Sequence, residues 1–301
     1  MSFSSEVKRE LAAHLPERGC CLAAQAYGML ECGHAFSAMQ ISLQTEQEGM
    51  ARLYAALTAT AVGIPKPDCR RRERSGLYVV EIADPDERRR VLERFGHSPG
   101  EVTVRLNRAN LECDSCGPAY LRGAFLACGA VTNPEHDYHL EFSVPTFNLC
   151  RDLLALLREL GLEAKQVCRK GNHVAYLKES EQIEDCLTLM GAPNASLELM
   201  SVKMVKSIRN NANRVTNCES ANIDKTVAAA AVHLAALKKI EDRGGLILLP
   251  EELREVARLR LENPDMSLRE LGEALSPRLS RSGVNHRLRR IVEFADKLEE
   301  A

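Results

Sequence analysis

The chain has no apolar run long enough to cross a bilayer. Its longest candidate, Val227 to Leu237, is eleven residues and stops at Lys238-Lys239, whereas a spanning helix needs roughly 18 or more. The opening, Met1-Ser2-Phe3-Ser4-Ser5-Glu6-Val7-Lys8, lacks the apolar core of a secretory leader, so the 11 cysteines are expected to be reduced and the protein cytoplasmic. Neither sign of charge dominates: 40 Lys and Arg stand against 42 Asp and Glu, net -2. That balance excludes a uniformly basic nucleic-acid coat and confines any DNA contact to local patches. Low-complexity tracts, a Gly-rich phosphate loop and a nucleophile elbow are all missing, which leaves no P-loop or serine-hydrolase chemistry to argue for. At 301 residues, two domains are the default expectation.

What the chain does have is a strong local asymmetry near its end. From Ser276 to Val292 there are five Arg (278, 281, 287, 289 and 290) and no Asp or Glu. This stretch follows an apolar-periodic segment, Ser267 to Leu275, with a short break between them; the order is that of a helix-turn-helix, whose second helix enters the major groove. Leu279, Val284, Leu288 and Ile291 can face the support helix, while Ser280, Ser282, Asn285 and His286 are of a size to reach base edges. Ser267, Arg269, Arg278, Arg281, Arg287, Arg289 and Arg290 complete the expected DNA-binding set, the arginines as phosphate contacts.

The first two hundred residues repeat one order of elements. Helices are expected at Glu6–Leu15 and Cys20–Cys32, a strand at Ala38–Thr45, a helix at Gly49–Val62, a hairpin over Pro67–Ile82, a helix at Asp86–Phe95 and a strand at Val102–Arg108. The series restarts with a helix at Pro118–Cys128, a strand at Tyr138–Val144, a helix at Thr146–Leu160, a hairpin over Ala164–Lys178 and a helix at Glu181–Met190. Gly28 and Gly123 stand 95 positions apart in the two copies, and an internal duplication is the economical account. Both hairpin tips are basic: Arg70, Arg71, Arg72 and Arg74 in one, Lys165, Arg169 and Lys170 in the other, a pattern that suits a nucleic-acid-facing sheet. Beyond Ser196 the strands stop. Leu197–Ile208 reads as a helix, the Asn-rich stretch 210–217 as a cap or joint, and Asn222–Arg243 as a long Ala-rich helix; Pro250 to Glu262 forms another. Two domains follow, 1–210 (repeats of about 1–110 and 111–210) and 211–301.

Ala119-Tyr120-Leu121-Arg122-Gly123-Ala124-Phe125-Leu126-Ala127-Cys128-Gly129 resembles the LAGLIDADG motif of homing endonucleases, and Ala26-Tyr27-Gly28-Met29-Leu30-Glu31-Cys32-Gly33 resembles a weaker copy. With Tyr138-His139-Leu140-Glu141, Asn213-Arg214, Asn217-Cys218-Glu219, Ala221-Asn222-Ile223, Lys225-Thr226 and Ser282-Gly283-Val284-Asn285-His286-Arg287-Leu288, the chain resembles the WhiA family of bacterial regulators over essentially its whole length. The resemblance implies an α+β LAGLIDADG-like duplicated domain with antiparallel saddle sheets. An all-α helix-turn-helix domain resembling the promoter-reading part of sigma factors follows it. It also implies a transcriptional regulator of sporulation or of cell division and chromosome segregation, associated with the nucleoid and bound to double-stranded DNA. Asn213 and Arg214 join the basic hairpins as secondary DNA contacts. Another transcription regulator or RNA polymerase is the alternative occupant of the saddle, and a monomer is expected because one chain carries both motif copies.

The nuclease pattern itself is broken. Cleavage in that fold uses a carboxylate at the foot of each motif helix to hold divalent metal, and those positions carry Gly33 and Cys128 here, with Glu31 at the preceding acidic position of the first copy and Leu126 at that of the second. The expectation is no enzyme, with a metal-dependent DNA endonuclease or a protein-interaction module as alternatives. Cys113-Asp114-Ser115-Cys116 has the spacing of half a zinc knuckle, and Cys20-Cys21 lies near the start of the matching helix, so four thiolates could converge on one zinc. No second Cys-x-x-Cys follows, and packed or capping cysteines are the reading taken. No metal and no cofactor is therefore expected.

Overall fold

The computed structural model describes residues 2–101 and 104–298. The chain divides into two compact units, Met1–Lys206 and Ser207–Ala301.

The first unit is built twice. Its first copy contains α1 (Phe3–Ala13), α2 (Gly19–Glu31), β1 (Ala35–Phe36), β2 (Ile41–Thr45), α3 (Glu48–Val62), β3 (Cys69–Arg71), β4 (Tyr78–Glu81) and α4 (Pro85–Arg94). The second contains α5 (Cys116–Cys128), β5 (Gly129–Val131), β6 (Leu140–Val144), α6 (Phe147–Glu159), β7 (Lys165–Arg169), β8 (Asn172–Leu177) and α7 (Ser180–Met190). Each copy folds one four-stranded antiparallel sheet, ordered β1-β2-β4-β3 and β5-β6-β8-β7. The duplication inferred from the order of elements is therefore present in three dimensions, in a LAGLIDADG-like arrangement.

The two copies meet where α2 packs on α5. A Cβ at Gly28 would overlap the Tyr120 carbonyl oxygen, and one at Gly123 would overlap that of Gln25, so the backbones approach to a distance only glycine permits. Around this seam Tyr27, Met29, Leu30, Tyr120, Leu121, Ala124 and Phe125 are buried in a single core that continues under both sheets.

Two short strands, β1 and β5, were not expected; at two and three residues they are too short to show alternation. The strand expected at Val102–Arg108 is corrected. Val102 and Thr103 lie outside the described residues, residues 104–107 are irregular, and Arg108–Asn110 form a 3₁₀ turn. The backbone donors a strand would need are taken by side chains: Leu106 N–H donates to Asp152 at 3.2 Å and Asn107 N–H to the Tyr27 hydroxyl at 2.9 Å.

The expected joint at 210–217 is also corrected. One helix, α8 (Pro193–Gly244), runs through the Asn-rich stretch and through the division between the two units. From 194 to 243 there is neither Gly nor Pro, and each Asn costs helix only about 0.7 kcal/mol or less against Ala. The helix stops where Gly244 and Gly245 take positive φ (149° and 85°).

In the second unit, α9 (Glu251–Glu262), α10 (Leu268–Ala274) and α11 (Arg281–Lys297) pack with the end of α8 around Leu237, Ile240, Leu253, Val256, Leu271, Val284, Leu288 and Ile291. Arg260 is buried here, its guanidinium donating to the carbonyls of Pro264 (3.1 Å) and Met266 (2.6 Å), which pins the turn before α10. Among the described residues no helix is long and apolar enough to cross a membrane.

Candidate nucleic-acid interface

α10 and α11 have the geometry of a helix-turn-helix. α10 opens with a reciprocal capping box: Glu270 N–H donates to Ser267 Oγ (3.3 Å), and Ser267 N–H donates to the Glu270 carboxylate (2.7 Å). The chain then turns so tightly that Leu279 N–H donates to the Gly272 carbonyl at 3.0 Å, and a Cβ at position 272 would overlap the Leu279 carbonyl oxygen. Ser280 caps α11 by accepting from Gly283 N–H at 3.2 Å. Along α11, Val284, Leu288, Ile291 and Ala295 are buried at spacings of three and four, which turns the opposite stripe, Arg281, Ser282, Asn285, His286 and Arg289, outward.

The expected contact residues separate into three kinds. Arg278 and the outward stripe of α11 are exposed. Ser267 and Ser280 spend their hydroxyls on capping, and Arg269 pairs with Glu273 at 3.1 Å while staying exposed. Arg287 and Arg290 also carry bonds within the unit: Arg287 donates to the Glu252 carbonyl (3.0 Å) and Arg290 to the Glu252 carboxylate (2.6 Å), so both half-buried guanidiniums fasten α11 to the first turn of α9. Lys225 and Thr226 of α8 were not singled out as contacts, yet they line a cleft of about 460 Å³ with Ser267, Arg269 and Arg281, over Arg260 and His233. Asn213 and Arg214 are exposed on α8.

Pairing register sorts the basic hairpins. Arg70 lies opposite Val79, and Arg72 continues that face beside Glu81, away from the buried Val80. Arg71 lies opposite Tyr78 on the other face, its guanidinium 5.8 Å from that ring, and Arg74 is exposed in the turn. In the second sheet Lys165 opposes Tyr176 and Arg169 opposes Asn172; Lys170 sits at the tip with φ 50°. Both outward faces also carry carboxylates. Glu141 accepts from His139 (2.8 Å) and Arg169 (3.4 Å), and Glu81 accepts from Gln40 (3.3 Å).

The feet of α2 and α5 do not fit a divalent metal. Gly33 and Cys128 line one cleft with Ser143 and Pro145 where hard oxygen ligands would be needed. Glu31 is turned inward, 2% exposed, with the Tyr120 hydroxyl at 2.5 Å and the Tyr27 hydroxyl at 3.1 Å. Burial pushes its carboxyl up to about 8, overcoming the opposing pull of the two tyrosines. A buried, largely neutral carboxyl bonded by two phenols is a core group, not a metal ligand.

A family model described as the WhiA C-terminal HTH domain matches residues 212–295, and one described as the WhiA LAGLIDADG-like domain matches residues 117–209. A protein from Clostridium botulinum (strain Hall), named "Probable cell division protein WhiA", is 38% identical over 313 residues, spanning 100% of this chain and 99% of its own. The chain belongs to the WhiA family. A WhiA relative from Heliobacterium modesticaldum with the same name is 40% identical over 307 residues, spanning 98% of this chain and 96% of its own. The crystal structure of full-length DUF199/WhiA from Thermatoga maritima has a TM-score of 0.62 at 22% identity and covers 99% of both chains, which supports the fold. The N-terminal LAGLIDADG domain structure of DUF199/WhiA scores 0.50 at 16% identity, over 63% of this chain and 90% of that one.

One grouping in this WhiA-family chain emerges only in three dimensions. Cys20, Cys21, Cys113 and Cys116 converge, all four sulfurs lying within 4.8 Å of one another. The available signal was the offset: Cys21 and Cys116 are 95 positions apart, as are Gly28 and Gly123. Equivalent positions on two packed helices share one end of the pair.

Proposed function

We propose that this protein is a sequence-specific DNA-binding transcriptional regulator acting in cell division and chromosome segregation or in sporulation, that it works on the nucleoid in the cytoplasm as a monomer, and that it does not cleave DNA. The observation that carries the reading is the outward stripe of α11, where Ser282, Asn285 and His286 stand between Arg281 and Arg289 on the face opposite the buried one. Short polar side chains can read base edges while flanking arginines neutralise phosphates; Asn285 suits a bidentate contact with adenine. Lys225, Arg269 and Arg278 extend the positive rim. The relatives' name, "Probable cell division protein WhiA", supports the cellular role. Gly33, Cys128 and the buried Glu31 support the absence of nuclease chemistry.

The test is binding of the full chain to duplex DNA across a salt series, comparing Arg281→Ala and Arg289→Ala with Arg290→Ala. Each of the first two should weaken binding to every sequence and flatten the log–log salt slope by roughly one unit. Arg290→Ala should leave the slope unchanged because Glu252 already holds that side chain. Unchanged slopes for Arg281→Ala and Arg289→Ala would remove α11 from the interface.

A second reading concerns the saddle. Glu81 and Glu141 beside Arg70, Arg72, Lys165 and Arg169 give its outward faces mixed charge, which suits a protein partner, another transcription regulator or RNA polymerase, better than a phosphate backbone. DNA affinity unaffected by the Arg70, Arg72, Lys165 and Arg169 replacements supports it; a lower salt slope assigns the saddle to DNA.

A further inference from the structure

We propose that Cys20, Cys21, Cys113 and Cys116 form a structural tetrathiolate zinc site that clips the N-terminal ends of α2 and α5 together. The sulfur separations are Cys20–Cys21 4.0 Å, Cys20–Cys113 3.8 Å, Cys21–Cys113 3.6 Å, Cys21–Cys116 3.9 Å and Cys113–Cys116 3.5 Å. The remaining pair, Cys20 and Cys116, also falls within 4.8 Å. A tetrahedron with Zn–S bonds of about 2.3 Å has edges of about 3.8 Å, and the five separations scatter around that value. A disulfide would hold two sulfurs at about 2.05 Å and leave the other two without a role. Casual packing accounts for one or two sulfur contacts, not a closed set of four.

The secondary structure explains how four side chains reach one point. Cα–Cβ bonds tilt toward a helix N-terminus, so Cys20 and Cys21 in the first turn of α2 and Cys116 at the start of α5 project past their helix ends. Cys113 comes from the turn just before α5, closed by a Cys116 N–H bond to the Cys113 carbonyl at 2.8 Å, and the Ser115 backbone N–H donates to the Cys113 sulfur. The two helix N-termini favour the net negative charge of a zinc tetrathiolate, and Arg122 and Arg18 line the adjoining cleft. Cys21 and Cys116 are buried while Cys20 and Cys113 are half exposed, which leaves the metal a way in.

All four positions are filled by protein sulfur with none open to substrate, so the site is structural. It lies at the end of the helix pair opposite Gly33 and Cys128; Cys21 and Gly33 are twelve residues apart along the chain, about 18 Å of helix. It is therefore distinct from the position where the nuclease fold would place its ions. Its role is to fasten the seam between the repeats, whose glycine-only contact at Gly28 and Gly123 tolerates little separation.

The experiment is elemental analysis of the full chain purified without chelator, with a thiol count alongside. The expected content is about one zinc per chain, lost in Cys113→Ser/Cys116→Ser. If that variant does not fold, the wild type still decides: the number of its 11 thiols that react with a thiol reagent should rise by about four when a strong chelator is added, and cobalt added to stripped protein should give the visible spectrum of a tetrahedral thiolate. Chelation should also lower the melting temperature of the first unit. Stoichiometric iron instead of zinc, no bound metal after growth in zinc-supplemented medium, or a thiol count indifferent to chelator each overturns the proposal.

Discussion

Glu31→Gln should make the first unit less sensitive to pH, and the size of the effect follows from where the carboxyl sits. Glu31 has a carboxyl raised from 4.5 to about 8, with burial as the leading cause. An acid whose folded value is raised binds more protons folded than unfolded between the two values, so its contribution is fully present below about 4.5 and is lost as pH rises through about 8. In that window the slope is about 1.4 kcal/mol per pH unit, so between pH 5 and pH 7.5 the native protein forfeits on the order of 3 kcal/mol through this one group. Gln carries no titrating proton and retains an acceptor for Tyr120 or Tyr27, so its stability should not follow that slope. Urea titrations followed by tyrosine fluorescence isolate the effect, because all six tyrosines (27, 54, 78, 120, 138 and 176) lie in the first unit. The stability gap between variant and native protein should move by about 3 kcal/mol in favour of the variant from pH 5 to pH 7.5. Parallel pH curves would show that Glu31 is ionised in the native state and would refute the claim that the remaining acid of the motif is a neutral core group.

Gly123→Ala should destabilise the first unit by about 1–3 kcal/mol or more, because its methyl meets the Gln25 carbonyl and the helix pair must part; the same tyrosine signal measures it. Gly272→Ala should cost a similar amount in the second unit through its clash with the Leu279 carbonyl, read by circular dichroism as loss of helix at lower temperature. Supercoiled plasmid incubated with the protein and Mg²⁺ or Mn²⁺ should stay uncut, as gel electrophoresis would show; cutting abolished by Glu31→Gln would return this acid to catalysis.

The helices and the duplication were legible because they are written locally, in apolar periodicity and in the matched Gly28 and Gly123. The helix-turn-helix was legible for the same reason: Ser267, Gly272 and Ser280 act within a few residues of themselves. What sequence reading missed depends on distant partners. Arg287 and Arg290 bond to Glu252, 35 and 38 positions earlier, a partner that no local pattern announces. The 104–107 segment loses its strand to Asp152 and Tyr27, groups no local pattern announces. The Asn-rich stretch reads as a cap or joint because asparagine favours caps, yet with no Gly or Pro the helix simply continues. The four cysteines lacked a second Cys-x-x-Cys because two come from each repeat, and only the fold of the pair brings them together.

Selection of duplexes from random DNA, run with the full chain and with Ser282→Ala/Asn285→Ala/His286→Ala, tests the central claim most directly. The native protein should enrich a defined motif, whereas the triple variant should lose that motif and keep nonspecific affinity, since Arg281 and Arg289 remain to hold phosphates. Loss at the base read by Asn285 should be worth about 1–3 kcal/mol of discrimination. Recovery of the same motif by the triple variant would contradict the account and move sequence readout away from α11.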